Sequence, residues 1–228
     1  MKNYACTEER FLKDVATHNM TVIRDDGVHR HIRFKRPGEG AYWFDIITWP
    51  GALCIDGDMG TYVFRRLDDM FEFFRTDREY MKHDGRQLAI NPSYWSEKLQ
   101  SVATFEGVRE FSEEAFTKYV REAFDSWVEE HQPDKDAEQW ERDEFSERAA
   151  SLWEEIEDEV LSVASDGETR AYDAARDFKS DTADYFSMED CWEWNCKEFT
   201  FHFIWCCYAI AWTVEKYDLN KETLMEQT

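Results

Sequence analysis

The spacing of hydrophobic positions changes part-way along this chain, and the change separates two kinds of structure. From Thr7 to His18 (TEERFLKDVATH), Phe11, Leu12 and Val15 fall on one helical face, which predicts a short opening helix. The pattern then becomes strand-like. MTVIR, a turn at Asp25-Asp26-Gly27 and VHRHIRFKR spell a hairpin, because Asp-Gly supplies the positive φ values that tight turns need. Pro37-Gly38-Glu39-Gly40 closes that unit. AYWFDIITW, ALCID and TYVFRR follow, separated by Pro50-Gly51 and Gly57-Asp58-Met59-Gly60, and extend the pattern to an antiparallel sheet of about four or five strands. Helical spacing returns at Leu67 to Arg75, where Leu67, Met70, Phe71 and Phe74 share a face suited to packing on the sheet. Pro92 in PSYWSEKLQS fits a first helical turn, and the strand signal fades after it.

Beyond Ser112 the three-and-four spacing dominates. Phe116, Tyr119, Val120, Ala123, Phe124, Trp127 and Val128 predict an amphipathic helix from Ser112 to about Glu130, broken by Pro133. A second stripe runs through Phe145, Ala149, Leu152, Trp153, Ile156, Val160, Val163 and Ala164 and stops at Gly167. Two more helices are predicted, at about Glu168 to Lys179 and Lys197 to Tyr217. The apolar run Phe199 to Val214 is short for a membrane span, contains His202 and is flanked by Lys197, Glu198, Glu215 and Lys216, so it is expected to be a buried core helix. The fold class expected is therefore α+β: a sheet with packed helices over residues 1–110 and a helical module over residues 111–228.

Charge sharpens this division. The formal charge of the 228 residues is −23; residues 1–100 hold 15 Lys/Arg against 16 Asp/Glu, and residues 101–228 hold 12 against 34. A surplus of this size repels nucleic acid and anionic lipid, so direct attachment to either is excluded as the main activity and the expected partner is a protein with a basic surface. Plain solvation of long helices explains the same surplus and stands beside that expectation. The aromatic content of 16% within 43% hydrophobic residues is ample for a core. The N-terminal MKNYACTEERFLKD has no apolar signal core, so Cys6, Cys54, Cys191, Cys196, Cys206 and Cys207 are expected to be reduced thiols inside a cell.

Candidate chemistry is sparse. Asp56-Gly57-Asp58 could hold a hard cation, although Asp and Gly suit a turn for backbone reasons alone. Asp134, Asp136 and Glu138 resemble the start of a calcium loop, but Gln139 stands where such a loop needs glycine. His202 and Cys206 share a helical face that Cys191 and Cys196 could complete as a zinc site, yet the paired-cysteine spacing is missing and core packing is the better account. His18, His29 and His31 have no nucleophile motif beside them, and no phosphate-cradling glycine loop occurs. No catalytic, cofactor or metal residue is assigned.

The acidic run of the second long helix is the feature with a magnitude behind it. Glu154, Glu155, Glu157, Asp158 and Glu159 place five carboxylates in six residues. That is about one charge per 1.8 Å at roughly 1.5 Å per residue, near the roughly 1.7 Å per charge of duplex DNA. A helix fans such groups around its circumference, so only a subset can meet any one partner.

The stretch YWFDIITWPGALCIDGDMGTYVFRRLDDMFEFFR, residues 42–75, followed by Asn91-Pro92-Ser93-Tyr94-Trp95, resembles a family of phage and prophage proteins, with TWPG, GDMG and DMFEFFR as its distinctive segments. The resemblance covers about residues 10–128. In that setting the chain resembles phage counter-defence proteins, in particular inhibitors of the Gabija nuclease–helicase system. That resemblance implies a non-enzymatic inhibitor acting in the host cytoplasm as a homo-oligomer, which binds a bacterial defence complex and obstructs its recognition or cleavage of DNA. A DNA mimic directed at a CRISPR effector or restriction enzyme is the nearest alternative; a metal-dependent phosphoesterase using Asp56 and Asp58 is a more distant one.

Overall fold

The structure, a computed structural model, describes residues 5–81, 87–104, 107–183 and 185–226. The chain divides into two compact units, residues 1–110 with 199–228 and residues 111–198.

In the first unit, β1 (Asn19–Asp26), β2 (His29–Lys35), β3 (Phe44–Trp49), β4 (Ala52–Gly57), β5 (Gly60–Arg65) and β6 (Leu99–Ala103) pair in chain order as an antiparallel six-stranded sheet. The connections are as tight as their residues suggest. Pro50 and Gly51 alone join β3 to β4, and Gly51 takes the φ of +80° that the third position of a type II turn demands. Gly57 answers a different need: a Cβ there would lie 2.3 Å from the Trp43 carbonyl oxygen, so only glycine lets the neighbouring backbone pass so close. Alternation directs one face of every inner strand to the core, and Ile32, Ile46, Ile55 and Tyr62 form one continuous cross-strand row with no exposed surface.

Three helices add side chains to the same core. Helix α1 (Glu8–Val15) is capped by Thr7, whose hydroxyl accepts the Arg10 amide at 3.2 Å, and it buries Phe11 and Val15. Helix α2 (Met70–Met81) begins three residues later than the spacing predicts. The Asp69 carboxylate accepts the Phe71 amide at 2.9 Å and a bidentate pair from Arg30 at 2.9 and 2.8 Å, which starts the helix at Met70 and leaves Leu67 exposed. The short α3 (Pro92–Ser96) has Asn91 as its cap and Trp95 fully buried. Where the strand signal was expected to fade, β6 adds a sixth strand on the free edge of β5.

The largest correction concerns α7 (Phe201–Glu226), which was expected to complete the acidic module and instead belongs to the unit of the sheet. From Phe203 to Val214 every residue is buried, and a helix apolar on all sides must be surrounded. Trp212 lies 4.7 Å from Phe34 between ring centres, Trp205 lies 5.0 Å from Phe11, and Arg75 of α2 grips Asp218 with two hydrogen bonds of 3.0 and 2.8 Å. The predicted start at Lys197 is also displaced, since Lys197–Phe199 forms β8, paired with β7 (Arg109–Phe111) in a separate two-stranded sheet.

The second unit holds α4 (Glu113–His131), α5 (Gln139–Glu159), a 3-10 turn at Leu161–Asp166, α6 (Glu168–Asp177) and a second 3-10 turn at Glu189–Glu193. The predicted stripes meet in its core, where Phe116, Val120, Phe124 and Trp127 of α4 share a cluster with Leu152 and Ile156 of α5 and Ala171 and Ala175 of α6. With α7 assigned to the sheet, residues 111–198 hold 9 Lys/Arg against 28 Asp/Glu, a charge of −19, and the rest of the chain holds 18 against 22. The surplus is therefore more concentrated than a division at residue 100 suggests. Among the described residues no helix is long and apolar enough to cross a membrane.

Candidate partner-binding surface

Helix α5 buries Leu152 and Ile156, and this fixes where its carboxylates point. At about 100° per residue, Glu154 and Asp158 share the outward face with Glu157 at its margin, and Asp143, Glu144 and Glu147 upstream fall in the same arc of about 140°. All six are exposed. Over the roughly 22 Å from Asp143 to Asp158 they supply about one charge per 4 Å, close to the roughly 3.4 Å per phosphate along a single strand of DNA. Summed over its arc, the face approaches the linear charge density of one phosphate backbone, and the denser figure from the linear sequence does not survive the winding of the helix.

Five of the nine Lys and Arg side chains of this unit form ion pairs away from this face. Lys118 pairs with Glu122, Arg121 with Asp125, Arg170 with Asp166, Arg176 with Asp173 and Asp177, and Lys197 with Glu168. Among the described residues Glu154, Glu157, Asp158 and Glu159 have no cationic partner.

Glu155 has a different occupation from its neighbours. Its carboxylate accepts the Ser180 hydroxyl at 2.5 Å and the Thr182 hydroxyl, while Ser180 Oγ accepts the amides of Thr182 and Ala183 at 3.0 and 2.8 Å. Burial pushes this carboxyl up, but the hydroxyls and the Asp181 and Thr182 amides outweigh it and hold the group below the usual carboxylate range. Glu155 therefore shapes the loop after α6, and the outward acidic set reduces to Glu154, Glu157, Asp158 and, on the Glu155 side, Glu159.

At the other end of α5, the connection from α4 forms a cleft of about 660 Å³. Trp140 stands at its mouth, 63% exposed. Phe145 and His131 form its floor, stacked on the buried Trp127 at 5.8 and 4.9 Å between ring centres. The segment once comparable to a calcium loop lines one wall, but its carbonyls are taken: Arg142 Nη2 donates to Lys135 O at 3.0 Å and Ala137 O at 2.6 Å. The side chains of Asp134, Asp136 and Glu144 have no cationic partner among the described residues.

The remaining candidates are occupied structurally. Asp56 accepts the Thr61 hydroxyl at 2.5 Å, and Asp58 accepts the amide of Tyr42, a non-glycine residue held at φ +59°. Asp56 thus serves a side-chain hydroxyl across the β4–β5 hairpin and Asp58 a backbone amide. His31 and Arg33 both bind Asp45, at 2.9 Å and at 2.8 and 2.7 Å; burial raises this carboxyl, yet these partners pull it below the ordinary range. His18 contacts the Tyr42 carbonyl at 2.9 Å, and burial holds its pKa below the usual value. His29 lines a shallow cleft on the outer sheet face with Trp49. Cys206 and Cys207 are fully buried, and burial pushes both thiols well up. Among the described residues no group of three or more His, Cys, Asp or Glu side chains converges as a metal shell.

No protein-family model, curated protein or solved structure matches this chain. Trp140 is absent from the residues singled out by spacing and motif, yet the chain carries a signal for it: an aromatic residue among acids, about 140° round the helix from Phe145 and so off the apolar stripe.

Proposed function

We propose that this chain is a non-enzymatic phage counter-defence protein that binds a bacterial immune nuclease complex of the Gabija type and blocks its recognition or cleavage of DNA. The observation that carries the proposal is the outward face of α5, six exposed carboxylates at nearly the linear charge density of one phosphate backbone, of which four, Asp143, Glu147, Glu154 and Asp158, lie in a single line. A groove that grips a DNA strand presents cations at that spacing, so this face is complementary to it. The resemblance of residues 42–75 to phage and prophage proteins supplies the setting, the host cytoplasm, and self-assembly of the inhibitor. A CRISPR effector or a restriction enzyme would offer a similar groove, and pull-down from host lysate separates those targets from Gabija.

Stopped-flow association with purified Gabija complex tests the proposal. Electrostatic steering requires the on-rate to fall steeply as salt rises, and Glu154→Gln/Glu157→Gln/Asp158→Asn to lower it at low salt and flatten the dependence. An on-rate indifferent to both removes the acidic face from the mechanism.

A further inference from the structure

The cleft between α4 and α5 has a chemistry distinct from the charged face beside it. Its mouth is an indole, Trp140, left 63% exposed although α5 has an apolar stripe that could have taken it. Exposing an aromatic ring of that size costs hydrophobic burial, and around it stand the carboxylates of Asp134, Asp136 and Glu144, which have no cationic partner among the described residues. The wall carrying two of them is held in shape by Arg142 through the Lys135 and Ala137 carbonyls, and the floor is fixed by the stack of Phe145 on Trp127. The site is therefore formed before anything enters it. The C-terminus of α4 and the N-terminus of α5 both abut the cleft, so their opposite partial charges offset each other; Arg148 also lines it, its guanidinium 5.2 Å from the centre of the Trp127 ring, and the carboxylates of Asp134, Asp136, Glu141 and Glu144 outnumber that one cation and set the sign.

An aromatic face with carboxylates at its rim selects a planar cation. We propose that this cleft receives an arginine side chain from the partner protein, its guanidinium stacked on the Trp140 indole and hydrogen-bonded to the carboxylates of Asp136 and Glu144. Arginine fits better than lysine because its flat, weakly hydrated head stacks while its N–H groups reach sideways to carboxylates. The cleft then supplies the anchor, and the α5 face supplies the steering. This deepens the proposed function and rests on its basic protein partner, though not on which complex that is. The volume of about 660 Å³ leaves room for the side chain together with part of its backbone.

The test uses the full-length protein and a hexa-arginine peptide, with hexalysine as comparison, read by calorimetry and by the indole N–H resonance of Trp140, assigned with Trp140→Phe. Trp140→Ala keeps every charge, and its exposed position leaves folding intact, which circular dichroism checks. Expected are tighter binding of hexa-arginine than of hexalysine, a shift of the Trp140 resonance on titration, and a roughly tenfold loss of hexa-arginine affinity in Trp140→Ala. Glu154→Gln/Glu157→Gln/Asp158→Asn removes three charges away from the cleft and should cost less than Trp140→Ala. Wild-type affinity in Trp140→Ala, or a larger loss in the α5 variant, overturns the proposal and reduces the peptide to general charge attraction. Peptide binding at Trp140 without Gabija binding sinks the function and keeps the cleft. Gabija inhibition undiminished in Trp140→Ala does the reverse.

Discussion

Replacing Trp205 by alanine should unfold the sheet first, and the size of the effect can be worked from its surroundings. Trp205 is fully buried, with Phe11 and Phe44 at 5.0 and 5.6 Å between ring centres, and its indole N–H donates to the Asp14 carboxylate at 3.3 Å. Truncating a buried tryptophan costs about 3–5 kcal/mol through lost burial and the cavity left behind. The change also leaves Asp14, itself 7% exposed, with Arg10 as its remaining hydrogen-bonded partner at 3.0 Å, which places the total at the upper end. In a unit of this size about 5 kcal/mol lowers the melting temperature by roughly 15 °C, a large part of an ordinary domain's stability. Hydrogen exchange read by peptide shows where the loss falls. Strands β2 to β5 should lose protection, because α7 covers their inner face. Loss confined to α4 and α5, with the strands at wild-type protection, would show that α7 belongs with the acidic helices after all and would refute the assignment.

Further outcomes follow from individual contacts. The Asp45 carboxyl is held below its ordinary value of 3.8 in the folded state, so its contribution is present above that pH and disappears as pH falls through the depressed value; urea midpoints should fall on acidification below about pH 4 in the wild type and less steeply in Asp45→Asn. Gly57→Ala forces a Cβ to within 2.3 Å of the Trp43 carbonyl and 2.7 Å of Phe44 Cα, both backbone atoms, and should cost at least about 2 kcal/mol in denaturant titration. A smaller loss would mean that the β4–β5 turn yields. Glu155→Ala should raise proteolysis and amide exchange in residues 178–188 and leave the association rate with the partner closer to wild type than Glu154→Gln/Glu157→Gln/Asp158→Asn does; the opposite ranking would return Glu155 to the interface.

Much of the architecture was written in local chemistry. Gly27 and Gly51 encode their turns because few other residues take the required φ, although the first turn is Gly27-Val28, with Asp26 already paired to His29, and the stripes of α4 and α5 are visible because each has one dry face. What was not legible depends on distant partners. Helix α7 follows the acidic helices in sequence, but its apolar surface runs all the way round, and only the sheet supplies enough apolar area to surround it. The strand β6 has few β-favouring residues, and its backbone is ordered by the unfilled edge of β5. The five carboxylates from Glu154 to Glu159 look equivalent along the chain, yet Ser180 and Thr182, some 25 residues on, withdraw Glu155 from the surface. The cleft at Trp140 arises where two helix ends meet, and linear spacing carries little of that.

Whether the protein acts by occupying a partner, as proposed, and not by turning over a substrate is tested most directly by DNA cleavage with purified Gabija complex at fixed concentration. Titrating the chain against that complex should suppress cleavage to an end point at a fixed stoichiometric ratio, unchanged by longer incubation. Cleavage that persists at saturating protein, or excess complex inactivated by substoichiometric amounts in a time-dependent way, would contradict it.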